Sequence, residues 1–141
     1  MTVARLEIRE RIDAQDHEFL SEQINAYNVE ATGITDGRLL AILVRGEHGA
    51  IIAGLNGWTW GGCLFVEFLW VRADLRHTGY GSRLLAAAEA EAIARGCQVA
   101  TLCTHDFQAP GFYRKHGYTV CGAIDDYPRG HQSIFLKKAL R

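Results

Sequence analysis

The chain of 141 residues contains no Cys-x-x-Cys pair, only two prolines, a single methionine and no excess of either charge. Each shortage excludes a class of protein. Lys and Arg number 15 against 16 Asp and Glu, a net charge of −1 with neutral histidines, so there is no basic surplus to release counterions from nucleic acid. No apolar run approaches the roughly 20 residues of a membrane span. The opening residues, Met-Thr-Val-Ala-Arg-Leu-Glu, lack the apolar stretch of a signal peptide. These features predict a soluble, unprocessed protein in the cytoplasm, with no nucleic-acid or membrane partner. The four cysteines, Cys63, Cys97, Cys103 and Cys121, lie scattered in apolar segments and read as core thiols rather than zinc ligands or a redox dithiol. The six histidines form no H-x-x-x-H or Cys/His ligand set, so no metal is expected. With no internal repeat and no linker-like segment, residues 1–141 are expected to form one domain.

What is present is an ordered series of strand and helix patterns. Residues 3–9 fit a short strand, and Asp13 or Asp16 can cap a following helix with Leu20, Ile24 and Tyr27 at helical spacing, ending before Gly33. Leu39–Val44 reads as a strand buried on both faces and 51–60 as its hairpin partner. Residues 63–71 form the most apolar strand, with one carboxylate, Glu67, in its middle. A glycine turn, Arg76-His77-Thr78-Gly79-Tyr80-Gly81, then opens a helix over 82–95. That helix has Leu85, Ala88 and Ala92 on one face, a Glu91–Arg95 pair, and Gly96 as terminator. The strand 98–104 completes a crossover whose two strands run parallel. A short helix, 109–116, stops at Gly117, and strands 118–124 and 132–137 close the chain around a polar loop.

The glycine turn carries the first chemical signal. Glycines between a strand and a helix leave backbone N–H groups pointing into one concavity, with the positive end of the helix dipole behind them. Arg76 adds a charged fork, and a pyrophosphate is the natural guest. The turn lacks the Gly-Lys-Ser/Thr of a P-loop, and Leu84 stands where a dinucleotide fingerprint wants a small third residue. A tight turn of purely structural meaning stays open on these letters alone.

Two blocks in order, Val71-Arg72-Ala73-Asp74-Leu75-Arg76-His77-Thr78-Gly79-Tyr80-Gly81 with Ser-Arg-Leu-Leu after it, and Asp106-Phe107-Gln108-Ala109-Pro110-Gly111-Phe112-Tyr113-Arg114-Lys115-His116-Gly117-Tyr118, closely resemble the signature segments of the GNAT superfamily of acyl-CoA N-acyltransferases. The resemblance runs from about Val66 to Tyr118. It implies an α/β fold with a mixed, mostly antiparallel sheet. A central parallel strand pair would splay into a V-shaped cofactor cleft, with helices flanking the sheet. It also implies acetyl-CoA as cosubstrate. The pyrophosphate would lie on Arg76, His77, Thr78, Gly79, Tyr80, Gly81 and Ser82, and the pantetheine on the main chain of Leu69, Trp70 and Val71. Asp106, Ala109 and Phe112 would complete the cofactor site. Asp106 departs from the family's usual Asn and can accept hydrogen bonds but not donate an amide proton.

By the same resemblance Tyr113 is the general acid for the departing thiolate, against the alternative of an aromatic packing beside Phe112. Glu67, placed by period-two alternation on the face of Leu69 and Val71, is either the general base or a carboxylate paired elsewhere. His105 and His131 fall near the expected cleft and the C-terminal hairpin. Trp60 is the tryptophan nominated for the acceptor site, and Cys103 keeps an acyl-cysteine route open. The function implied is transfer of an acetyl group to a primary amine by direct attack in a ternary complex. The alternatives are a non-catalytic acyl-CoA sensor and an acetyltransferase of protein lysines or N-termini. A small amine is favoured as partner, a cationic one on account of Asp125, Asp126 and Glu67, and the family's habit suggests a homodimer.

Overall fold

The computed structural model describes residues 2–141, in two compact units: one ends at Thr35 and the other runs from Asp36 to Arg141. In the first, helix α1 (Ala14–Thr32) starts at Asp13, whose side chain makes no capping bond, and ends at left-handed Gly33 (φ 72°). The Gly33 N–H donates to the Val29 carbonyl at 2.7 Å, the closure that a Cβ-free residue favours. Residues 3–9 join no strand, contrary to their apolar pattern. A strand is sustained by its ladder partner, and seven residues of suitable composition do not create one.

The second unit is a six-stranded sheet in the order β1-β2-β3-β4-β6-β5. Its strands are β1 (Arg38–Arg45), β2 (Ile51–Trp60), β3 (Cys63–Val71), β4 (Val99–His105), β5 (Thr119–Asp125) and β6 (Gln132–Ala139), with α2 (Tyr80–Ala94) crossing between β3 and β4 and α3 (Pro110–Lys115) between β4 and β5. All neighbouring strands are antiparallel except β3 and β4, which are parallel as the crossover requires. Leu84, Leu85, Ala88 and Ala92 of α2 are buried with Ala53, Leu55, Leu64, Val66, Ala100, Leu102, Ile134 and Leu136 of the sheet, so the core lies between this helix and one sheet face. Arg95 pairs with Glu91 at 2.9 Å. Its guanidinium also donates to the Leu39 carbonyl and the Thr59 hydroxyl, each at 3.1 Å, tying the end of α2 to β1 and β2.

Two packing expectations are corrected. β1 is an edge strand, and although Leu40 is buried, Leu39 is 82% exposed, so the strand is covered on one face only. Of the cysteines only Cys97 is buried; Cys63 is half-buried, and Cys103 and Cys121 are exposed. Cys103 sits on the face of β4 opposite Leu102 and Thr104, which are buried, and Cys121 on the irregular stretch of the outermost strand. No helix among the described residues is long and apolar enough to cross a membrane.

Candidate active site

The site originates in a break between β3 and β4. They pair only from Cys63↔Val99 to Val66↔Leu102, yet β3 continues to Val71 and β4 to His105. The cause is a one-residue bulge: Gly57 faces Val66 and Asn56 faces Phe68, leaving Glu67 without a partner on β2. A bulge bends its strand and increases its twist, which turns the rest of β3 away from β4. The glycine at 57 is a steric requirement, since a Cβ there would overlap the Phe65 carbonyl oxygen.

Beyond the bulge the ladder with β2 alternates. The Arg72 N–H bonds the Ile52 carbonyl at 2.9 Å, so the antiparallel pattern turns the main-chain groups of Trp70 toward β2 and those of Leu69 and Val71 toward the gap. The Val71 carbonyl accepts the Arg76 Nε–H at 3.1 Å. Main-chain groups at Leu69 and Val71 thus line an edge that β4 has left.

The turn that follows is built for backbone exposure. His77 (φ 64°) and Gly79 (φ 98°) are left-handed, and the Thr78 hydroxyl donates to the Leu75 carbonyl. Gly79 caps α2 with no side chain, and the first helical bond runs from the Arg83 N–H to the Gly79 carbonyl at 3.0 Å. The amides of Tyr80, Gly81 and Ser82 therefore have no helical acceptor and stand free at the positive end of α2, an arrangement suited to an anion. Leu69, Val71, this turn, and residues 108–113 with Lys115 and His116 enclose a groove of about 630 Å³.

Of the residues nominated from the sequence, Leu69, Val71, Arg76, His77, Gly79, Tyr80, Gly81, Ser82, Ala109, Phe112 and Tyr113 line this groove. Trp70, Thr78, Asp106 and Glu67 do not. Trp70 is half exposed on the other sheet face. Glu67 is placed there too, because the bulge resets the alternation: Leu64, Val66, Leu69 and Val71 share one face, and Glu67 joins Asn56, whose amide donates to its carboxylate at 2.9 Å. Asp106 accepts the Gln132 N–H at 3.1 Å and lies 3.0 Å from His131 Nδ1. Trp60 pairs with Cys63 at the closed end of the β2–β3 hairpin, away from the break.

The Tyr113 ring meets Phe112 and Tyr118 edge-on at 5.1 and 5.8 Å. Burial pushes its phenol above the ordinary tyrosine range, which keeps the proton on the oxygen at neutral pH. The groove also contains His116, which the sequence reading passed over. His116 Nε2 is 3.0 Å from Ser82 Oγ and its ring lies 4.7 Å from Phe112. The available signal was helical spacing, since residue 116 follows Phe112 by four on the same face.

Gly81 has a packing role besides the access to phosphate expected of it. A Cβ at Gly81 would meet the Phe112 ring at 3.2 and 3.3 Å, so the glycine lets α3 pack closely on the start of α2. We expect Gly81→Val to weaken acetyl-CoA binding by about tenfold through displacement of Phe112, the scale of an overpacked contact. The double variant Gly81→Val/Phe112→Leu should recover part of that affinity in calorimetry. If the second change restores nothing, the valine acts on the phosphate directly.

The comparisons with known proteins agree with this geometry. Residues 3–118 match the acetyltransferase (GNAT) family. The chain is 48% identical over 99 residues to the blasticidin-S acetyltransferase of Streptomyces morookaense, covering 67% of this chain and 71% of that protein. It is 33% identical to an acetyltransferase of Agrobacterium fabrum, over 89% of this chain and 92% of that one. The crystal structure of an acetyltransferase from Bacillus cereus superposes with a TM-score of 0.78 at 33% identity, covering 94% and 97% of the two chains. The fold, with its mixed sheet parted at one parallel pair, is that of an acyl-transferring class. The chain belongs to the GNAT acetyltransferase family.

Proposed function

We propose that the protein is an N-acetyltransferase that moves an acetyl group from acetyl-CoA to a primary amine by direct attack in a ternary complex. One observation carries this reading: the main-chain edge at Leu69 and Val71 and the half-buried Tyr113 phenol line the same groove as the glycine turn that opens α2. In this reading the amides of Tyr80, Gly81 and Ser82, with Arg76, hold the pyrophosphate, and the exposed edge of β3 takes the pantetheine. A main-chain N–H there polarises the thioester carbonyl. The amine nitrogen attacks the carbonyl carbon, the C–S bond breaks as the tetrahedral intermediate collapses, and Tyr113 gives its proton to the departing thiolate. Cys103 is not among the groove residues, which favours direct attack over an acyl-cysteine.

In this reading Glu67, at the fork where β3 and β4 part, accepts the proton of an amine that arrives from the sheet face opposite the groove. Glu67→Gln should lower kcat/KM for the amine by about 10²-fold, the low end of what a positioned base contributes, with acetyl-CoA affinity unchanged, and an unchanged kcat/KM assigns the proton to another group. Charge complementarity to a cationic acceptor rests in this reading on Glu67 with Asp125 and Asp126. The Asp125 carboxylate accepts from the Gln132 amide at 2.9 Å and that of Asp126 from the Gly130 N–H at 2.8 Å, bonds from neutral donors that order the loop and leave both carboxylates their charge.

The test is release of free CoA from acetyl-CoA across polyamines, aminoglycosides, amino acids, blasticidin S and lysine peptides, with products identified by mass. Amine-dependent release with an N-acetyl product supports the proposal. Tight acetyl-CoA binding with no release for any amine would make the protein a sensor instead.

A further inference from the structure

The end of β4 and the β5–β6 loop bring together five side chains that the mechanism above leaves unused: His105, Asp106, Phe107, Tyr127 and His131. Past Leu102, β4 has no partner on the β3 side but stays joined to β6, where His105 pairs with Ser133. The Asp106 N–H donates to the Gln132 carbonyl at 3.0 Å. The loop is held by its own backbone, with the Tyr127 N–H on the His131 carbonyl at 3.1 Å and the His131 N–H on the Pro128 carbonyl at 2.8 Å.

On this frame His105 and Phe107 stack with centroids 5.3 Å apart and planes within 2°. Phe107 meets His131 edge-on at 4.9 Å, and Tyr127 lies 6.0 Å from His105. Rings so ordered by one another are normally core, yet Phe107 is 55% and Tyr127 57% exposed. Phe107 and Tyr127, each beside His105, present an aromatic shelf to solvent. Its polar member is equally ordered. Both oxygens of Asp106 are occupied, one by His131 Nδ1 and the other by the Gln132 N–H. A carboxylate only accepts, so in the neutral imidazole Nδ1 carries the proton and Nε2 is left as an acceptor. The departure from the family's usual Asn thereby acquires a purpose, that of orienting His131. The shelf shares a wall with the groove through Gln108, which lines the groove and accepts the His105 N–H at 2.9 Å.

The geometry points to an acceptor subsite for a primary amine tethered to a flat, N–H-bearing ring, the ring lying on Phe107 and Tyr127 and donating to His131 Nε2 while the amine reaches the break between β3 and β4. This assignment rests on the transferase reading above.

The experiment compares tryptamine with 2-cyclohexylethylamine, a saturated amine without the ring N–H. It measures kcat/KM for both and, separately, calorimetric binding of tryptamine to the CoA-loaded protein. Wild type should prefer tryptamine by about tenfold, the scale of one aromatic contact plus one hydrogen bond. Phe107→Leu, Tyr127→Leu and His131→Leu should each erode that preference through KM, with kcat for the saturated amine and acetyl-CoA affinity unchanged. Equal kcat/KM for the two amines in wild type, or variants that lower both amines alike, overturns the subsite. If no amine releases CoA the transferase reading fails by itself. The calorimetry still decides the shelf: binding of tryptamine lost in Phe107→Leu upholds it, and no binding to wild type overturns it.

Discussion

Tyr113→Phe is expected to lower kcat by about 10²-fold, the low end of what a positioned general acid contributes, while acetyl-CoA affinity stays within about twofold. The reason is the separation of roles along the groove. In the proposed mechanism the pyrophosphate is held by main chain at the start of α2, and the phenol adds one oxygen to a ring already packed between Phe112 and Tyr118. Phenylalanine keeps that packing and removes only the proton. A loss of kcat and kcat/KM together, without a change in binding, is the signature of an interaction made in the transition state. Because burial raises the Tyr113 pKa, the acid form persists as pH rises through the ordinary tyrosine value of about 10. An alkaline limb at lower pH that vanishes in Tyr113→Phe would contradict the assignment. A variant that raises KM and leaves kcat intact would show that the ring only packs.

Gly57→Ala should be the most damaging single methyl added outside the helices, with an expected loss of about 3 kcal/mol, the upper part of the range for overpacking. The added Cβ would overlap the Phe65 carbonyl oxygen on the neighbouring strand, and backbone cannot swing aside as a long side chain can. The strain falls on the bulge that parts β3 from β4. Urea unfolding should therefore show a lower midpoint with an unchanged slope, and the folded fraction should bind acetyl-CoA more weakly than wild type. Gly54→Ala is a graded control on the same strand, since its Cβ would meet the Leu43 side chain at 3.0 Å and the Ile42 carbonyl oxygen at 3.2 Å, tight contacts that a shift of a few tenths of an ångström relieves. Equal stability losses for the two would remove the special status of Gly57.

The residues differ in how legible they were. The helix over 82–95 and its Glu91–Arg95 pair were readable because period, propensity and terminator are local properties of consecutive residues. Strand 63–71 was readable from composition alone, and the glycine turn from its letters, since left-handed backbone at Gly79 needs no distant partner. Glu67 was misplaced by a cause that sits on another strand. Strict alternation puts it with Leu69 and Val71, and a one-residue bulge opposite Gly57 moves it to the face of Asn56. Asp106 was noticed because its block matched, but its partner within the fold, His131, comes from a loop 25 residues later and was not legible.

The sequence by itself determined the strand and helix order from residue 36 onward, the parallel crossover and the glycine turn that opens α2, because each is encoded within a few turns or strands of chain. Only the tertiary structure decided where β3 and β4 separate, which main-chain groups that separation exposes, which face receives Glu67, and that His131 and Asp106 form a pair. These depend on register between strands and on contacts closed across long stretches of chain. A shift of one residue there reverses every side chain beyond it without altering the local pattern that a sequence displays.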